Sequence, residues 1–426
     1  MRPSSGATRR TRCGVPIQGV ALACLLALNA GTARAQASAD SLVISVLTMG
    51  PGGEVFERFG HISIRVHDLR TGLDTAYNWG MYSFDQPRFV QRFLTGDTRY
   101  WMQGFPTIPL LEGYQGAGRW VTEQELALTS AEADSLSRYI RWNAREEHKF
   151  YRYDYYRDNC STRVRDALDM VLGGALKREV IARGHGVTFR SETLRLAVAY
   201  PALDLGMDFA LGRPADATMS AWEEMFIPMR LQQLIRDVRI PRADGSSVPL
   251  VRSERRLVID DRFAEVPAPP QLLWPALLIG FVIAAAVLAL AFTSGRSSAA
   301  RWGIALLGAT WHGVIGSAGM LVLFLGLFTR HVFMSRNLNL LLATPASLAL
   351  MLLFPLAVRR ASPRVVRAAR SLSVLVASCA VAALLAHLFP GLAQQNAPML
   401  ALSVPVYAAL VFALWRATAV RAREAT

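Results

Sequence analysis

The chain has 426 residues, of which 52% are hydrophobic and 18% charged, with a mean hydropathy of +0.26. That is too long for one ordinary domain and too apolar for a wholly water-soluble one, so two unlike halves are expected. The net charge of +14 sits at the ends: residues 1–35 carry five Arg and no acid, and residues 271–426 carry twelve Arg against Glu424 alone. The stretch between them holds 29 basic and 31 acidic residues, which leaves no basic face for nucleic acid and excludes it as a partner.

At the start, Arg9, Arg10 and Arg12 precede an apolar run from Val20 to Leu28, and Ala33-Arg34-Ala35 precedes Gln36. This order of charged, apolar and small residues predicts a cleavable secretory signal over residues 1–35. Cys24 opens a lipoprotein-signal alternative, against which Ala21 stands where Leu is usual and the apolar run continues past the thiol.

Residues 36–266 are expected to fold as an α+β domain. Ser41 to Met49 reads as a strand, Gly50 to Gly53 as a turn, and Ile62, Ile64 and Val66 alternate as a second strand opened by His61. Leu73 to Trp79 is a third. The run from Tyr100 to Leu111 is aromatic and apolar, and either dips toward a bilayer or packs in the core. Thr129-x-x-Glu132 is a capping box before a helix that reaches toward Glu147, and a further helix opens around Cys160 and stops at Gly173-Gly174. Trp222 and Phe226, four apart, read as helix packing.

After a linker at 267–271, five apolar stretches fill residues 272–416: 272–293, 303–328, 338–358, 372–389 and 399–415. Each is near the ~20 residues that cross a bilayer as a helix. With the N-terminal domain outside, the inner loops, Arg416 and the tail 417–426 hold ten of the twelve Arg, and only Arg330 and Arg336 lie outside. Charge retention on the cytoplasmic side therefore predicts a multi-pass protein of a bacterial inner membrane, with the domain in the periplasm and the C-terminus in the cytoplasm. His312, inside the second stretch, is either functional or a neutral His bonded to a neighbouring helix. The loop from Thr329 to Asn339 is either a site or a solvated turn.

Of four Cys, Cys13 and Cys24 leave with the signal and Cys379 lies in the fourth stretch, so Cys160 is the one thiol of the mature N-terminal domain. It is either an inert core residue or a nucleophile. Its place in Asp158-Asn159-Cys160-Ser161-Thr162-Arg163, at a helix start, predicts a stabilised thiolate. A thiol nucleophile needs an oriented base. His61, fixed by a strand and preceded by Gly60, is the expected one; His67 and His148 read as solvated and His185 lies in a loop. Asn78 is the expected orienting residue, with Tyr153 or Asp154 as substitutes. Arg163 either meets a lipid phosphate or pairs with Asp166. No metal site and no cofactor are indicated by His, Cys or carboxylate spacing.

A His on an early strand and a later Asn-Cys pair opening a helix resemble the circularly permuted papain-like arrangement of the NlpC-related and lecithin:retinol acyltransferase groups. More closely, the chain resembles the Lnb-type lipoprotein N-acyltransferases. The residues that carry this are Arg58-Phe59-Gly60-His61, Tyr77-Asn78-Trp79-Gly80, Tyr153-x-Tyr155-x-x-Asp158-Asn159-Cys160-Ser161-Thr162-Arg163, Leu211-Gly212-x-Pro214-Ala215-Asp216 and Ala221-Trp222-Glu223-Glu224-Met225-Phe226. His331, Asn337, Leu338 and Asn339 resemble that family's membrane loop, although Val332 stands where a Pro is expected.

The resemblance implies a permuted papain-like domain on an all-α five-helix membrane region. It implies Cys160 as nucleophile and His61 as base; Asn78, placed by strand register, is the expected partner or a packing residue, and Asn159, Arg163, Tyr153, Tyr155, His331, Asn337 and Asn339 are expected toward substrate. It further implies a phospholipid acyl donor and a diacylglyceryl-cysteine lipoprotein acceptor. Two other readings remain at this stage: a Cys-His hydrolase of cell-wall peptide or lipid, and a non-enzymatic membrane assembly factor. Composition leaves the oligomeric state open.

Overall fold

The computed structural model describes residues 41–242, 244–359 and 362–424. The expected signal peptide, Arg360 and the last two residues of the tail lie outside the described residues.

The N-terminal domain is built on an antiparallel sheet of seven strands in the order β6-β4-β3-β2-β1-β5-β9. These are β1 (Leu42–Met49), β2 (His61–Asp68), β3 (Leu73–Met81), β4 (Arg99–Pro106), β5 (Val121–Leu126), β6 (Phe150–Arg152) and β9 (Val251–Val258). A small hairpin, β7 (Arg239–Pro241) and β8 (Ser247–Pro249), stands apart. β2 and β1 are central, so their alternating Ile44, Val46, Ile62, Ile64 and Val66 are almost fully buried. The helices Ser130–Asn143 and Cys160–Val171 cover that face through Leu136, Ile140, Val164 and Leu168 in one core. The α+β class expected from the sequence is the observed one.

The run from Tyr100 to Pro106 is strand β4, paired with β3 and β6, and Ile108 to Leu111 lie on the helix Thr107–Gly116. Trp222 and Phe226 do not share a helix: the helix Ala221–Glu224 ends between them. Phe226 packs among Tyr156, Phe189 and Phe333, while Trp222 lies beneath the Arg165 guanidinium.

Five helices long and apolar enough to cross a membrane follow: Leu273–Thr293, Ser298–Phe328, Asn339–Arg359, Pro363–Ala386 and Ala397–Ala419. The second and fourth begin earlier than hydropathy alone indicates, because Ser297 caps one and Pro363 occupies the first turn of the other. The fourth ends at Ala386 rather than Phe389. Gly316 and Gly319 of the second helix let Leu348 and Ala343 of the third approach closely, the small-residue contact usual where helices meet in lipid. His312 is buried against Phe354 and Tyr407 with both ring nitrogens unpartnered, so the expected bond to a neighbouring helix is not formed.

Two ends of the bundle differ in chemistry. At one, Arg301, Arg370 and Arg416 bind the helix-end carbonyls of Ser294, Trp415 and Ala291. The opposite end, with the 330–339 and 394–396 segments, is clamped to the N-terminal domain.

Candidate active site

The Cys160 sulfur sits at the backbone N–H of Ile62, the residue after His61, where β2 begins, and its Cβ lies beside Gly80 near the end of β3. Gly60, at φ +72°, turns the chain into β2, and a Cβ there would stand 2.9 Å from the Met49 carbonyl. His61 follows. In the β2–β3 ladder Ser63 faces Asn78, so His61, two residues before Ser63, is diagonal to Asn78 on the same side of the sheet. The His61 Nε2 lies 3.0 Å from Asn78 Oδ1. Asn78 is buried and donates its Nδ2 to the Ala76 carbonyl at 3.0 Å, which leaves Oδ1 to the imidazole. Nε2 therefore carries the proton and donates, and Nδ1 is the bare nitrogen available as a base.

Cys160 is the first residue of the helix Cys160–Val171, and its start is tied down on several sides. Asn159 Oδ1 accepts from the backbone N–H groups of Ser161 and Thr162, both at 2.9 Å, while Thr162 Oγ1 accepts from the Asn159 N–H at 2.8 Å. Asn159 Nδ2 donates to the carbonyls of Tyr155 and Phe226, each at 2.9 Å. The Ser161 hydroxyl donates to the Met225 carbonyl at 2.6 Å. Asn159 thus spends its amide on the helix start and its two flanking segments. It positions the cysteine and does not present itself to a substrate.

The ladder between β3 and β4 slips between Asn78 and Met81, and Gly80 within that slip adopts φ +91°. A side chain there would meet the Cys160 Cβ at 3.5 Å, the Tyr153 ring at 3.8 Å and the Tyr151 hydroxyl at 3.9 Å. The bulge and its glycine make room for the thiol beside the sheet. Tyr153 lines the site and stacks on Tyr100. The Tyr151 hydroxyl is buried with no partner of normal hydrogen-bond geometry.

The electrostatics reverse one sequence expectation. Burial pushes the Cys160 thiol up to about 11, and the N–H groups of Ile62, Ser161 and Cys160 itself, with the Arg119 charge, recover only part of that cost. The helix start does not hold a thiolate, because desolvation of the sulfur outweighs what its N–H groups supply. Burial also lowers His61 to about 4, opposed by the bond from Asn78 and aided by the Arg119 charge. At neutral pH the resting pair is a neutral thiol beside a neutral imidazole.

Arg119 escaped the sequence reading. It is buried, donates Nε to the Gly50 carbonyl at 3.0 Å and Nη1 to Glu57 at 3.0 Å, and its Nη2 has no partner. Gly50 directly follows Met49, the ladder partner of His61, which places this cation at the back of the site.

The other residues expected near substrate are placed differently. Arg163 pairs with Asp158 at 2.8 Å and lies over the Tyr151 ring, while Asp166 pairs with Arg165. Asp154 caps the turn at Tyr156 and Arg157 and does not touch His61. The Tyr155 hydroxyl is 2.6 Å from His331 Nδ1, and His331 Nε2 is 3.1 Å from the Phe93 carbonyl. Asn337 Nδ2 donates to the carbonyls of Phe209 and Ala210, and Asn339 Nδ2 also donates to Phe209. Their side-chain oxygens accept from Gln394 and Asn396 respectively. In this structure Tyr155, His331, Asn337 and Asn339 fasten the domain to the helical region, because every polar atom that could meet a ligand is already spent on protein. His185 is paired with buried Glu224, and His148 stacks on Trp142. Among the described residues no group of three or more His, Cys, Asp or Glu is arranged to hold a metal.

The fold and the site define a class: an α+β domain with a Cys-His-Asn cluster, docked on five membrane-crossing helices. The family model of the Lnb N-terminal periplasmic domain matches residues 30–195, and that of the Lnb transmembrane domain matches residues 269–417. The chain belongs to the Lnb family, as a membrane protein with a periplasmic N-terminal domain and a role in lipoprotein processing. No curated protein and no solved structure matches it.

Proposed function

We propose that the protein is a thiol-dependent lipoprotein N-acyltransferase of the bacterial inner membrane, its Arg-rich helix ends and C-terminus in the cytoplasm. The observation that carries this is the Cys160 thiol held at a helix start against the N–H of Ile62, whose neighbour in β2 is His61 with its tautomer set by Asn78.

In the first half-reaction His61 Nδ1 takes the thiol proton as the sulfur attacks an ester carbonyl of a phospholipid. The carbonyl C–O bond then breaks, the departing alkoxide takes the proton from His61, and a lysophospholipid leaves a thioester on Cys160. In the second, the neutral α-amine of a diacylglyceryl-cysteine lipoprotein attacks the thioester and gives a proton to His61. The C–S bond breaks, and the sulfur recovers the proton. A neutral resting pair suits this sequence, since the base must be unprotonated before each attack. The N–H of Cys160, at the positive end of its helix, and the unpartnered Tyr151 hydroxyl are the donors available to the tetrahedral oxyanion. Burial of the thiol disfavours water as acceptor and favours transfer over hydrolysis.

The test is mass spectrometry of lipoprotein N-terminal peptides from a strain lacking the protein, complemented with wild type or with Cys160→Ala. Wild type is expected to restore the N-acyl chain and Cys160→Ala is not. Equal acylation in both strains would refute transfer through Cys160.

A further inference from the structure

The short helix Phe89–Thr95 buries none of its residues. Val90 is 68% exposed, Phe93 50% and Leu94 47%, and Phe84 just before it is 68% exposed. An apolar patch of this kind on a water-facing domain marks a contact with something apolar. Its location identifies the partner. The helix is fastened to the end of the second membrane helix: the Arg330 N–H donates to the Thr95 carbonyl at 2.9 Å, and Arg330 Nη1 to Asp97 at 3.0 Å. The last residues of that membrane helix, Leu327 and Phe328, are themselves exposed at 67% and 70% and belong to its lipid-facing surface. The apolar face is therefore continuous with the membrane-crossing surface. Exposed Arg88 and Arg330 stand on its rim, suited to lipid phosphates.

From this helix a chain of aromatic rings leads inward. Phe93 stacks on Phe89 at 6.3 Å, Phe89 on Tyr82 at 6.1 Å, Tyr82 on Tyr100 at 5.1 Å and Tyr100 on Tyr153 at 4.3 Å. Tyr153 and the Cys160 Cβ both lie within 4 Å of the position a Cβ on Gly80 would take.

We propose that the helix Phe89–Thr95 lies in the outer leaflet and that the acyl chain of a bilayer phospholipid reaches Cys160 along this aromatic ladder. The proposal rests on the acyltransferase reading for its second clause only. The ladder gives the chain an apolar wall between leaflet and thiol, and the rim arginines keep the headgroup at the surface.

The test begins in a Cys160→Ala, Cys379→Ala background, where no transfer can occur. A fluorophore is attached at Val90→Cys, Leu94→Cys or, as control, Leu73→Cys at the far end of β3. The full chain is placed in nanodiscs of phosphatidylethanolamine and phosphatidylglycerol containing doxyl-labelled lipid. Strong quenching at Val90 and Leu94 with little at Leu73 is expected; equal quenching at all three overturns the proposal.

In the otherwise wild-type chain, Val90→Glu with Leu94→Glu should slow acylation of Cys160 by bilayer phospholipid about tenfold or more, since carboxylates resist burial in lipid. Modification of Cys160 by methyl methanethiosulfonate at pH 9 reports that the fold and the thiol are intact. An unchanged acylation rate overturns the ladder. Strong quenching with no thioester even on the wild type supports the membrane-lying helix and refutes the acyltransferase reading instead.

Discussion

At the scale of single residues, Asn78 does two things that separate experimentally. It fixes the tautomer of His61, and its bond raises a pKa that burial drives down to about 4. Asn78→Ala should lower the rate of Cys160 acylation about a hundredfold, because the ring loses its orienting partner. Without that bond the His61 pKa falls further, so the acid limb of the pH profile does not move up. Asn78→Asp places a carboxylate beside the ring and favours imidazolium, so its acid limb should move up in pH. Initial acylation rates between pH 4 and 9 distinguish the two. A profile unchanged in Asn78→Asp would mean that His61 is not the group titrating.

Tyr151 gives a second residue-scale prediction. Its hydroxyl has no partner, so Tyr151→Phe should leave thermal stability nearly unchanged while slowing acylation about tenfold or more, if the hydroxyl meets the oxyanion. Equal rates for Tyr151→Phe and wild type would remove it from the site. Neither Tyr151 nor Arg119 was legible in the sequence. Tyr151 comes to the thiol through the pairing of the short strand β6 with β4, and Arg119 reaches His61 only through β1 and β5 pairing. The direction of the thiol shift was illegible for a related reason: a helix start is visible in a motif, but the desolvation that outweighs it depends on what the fold stacks above the sulfur.

At the scale of elements, the start of the cysteine helix is held by one distant segment, Trp222 to Phe226, and this explains a stretch that sequence alone left as packing. Trp222, Met225 and Phe226 offer backbone carbonyls to Arg165, Ser161 and Asn159. Their contribution is main-chain geometry, which no residue type announces. Asn159→Ala removes the cap, costing about 1 kcal/mol, and leaves the Tyr155 and Phe226 carbonyls without their donor, costing about as much again. Asn159→Asp keeps the cap acceptor and loses only the donors. Thermal unfolding in detergent should rank wild type above Asn159→Asp above Asn159→Ala, with acylation rates in the same order. An Asn159→Ala protein as stable as wild type but inactive would instead assign Asn159 to the substrate. Strands β1 to β3 were legible because apolar alternation is their own property; β4 was not, since its aromatic run reads equally as a membrane contact until β3 and β6 pair with it.

At the scale of the whole molecule, the two halves are joined by buried amides beside an apolar contact of Phe333 with Tyr156 and Phe189. Asn337, Asn339, Gln394 and Asn396 form one buried network onto the carbonyls of Phe209, Ala210 and Leu211. Arg190 ties the same stretch inward, donating to the carbonyls of Asp208 and Leu211 and pairing with Asp216. In the sequence such asparagines look the same whether they bind a ligand or a backbone, which is why the 329–339 loop reads as a site and folds as a clamp. The clamp fixes the N-terminal domain against that end of the helical region. Asn337→Leu takes the side-chain donor from the Ala210 carbonyl and the acceptor from the Asn339 backbone N–H, while Phe209 keeps Asn339 and Gln394 keeps Leu211, at about 1–3 kcal/mol for each group left buried and unsatisfied. Its expected outcome is faster hydrogen exchange across residues 207–212 and 329–339, with β1 and β2 still protected. The rate of Cys160 acylation from bilayer phospholipid should then fall several-fold, because the helix Phe89–Thr95, fastened to the same loop through Arg330 and His331, loses its fixed position at the leaflet. If exchange rises while acylation holds, the clamp is structural only and the thiol finds its substrate without it.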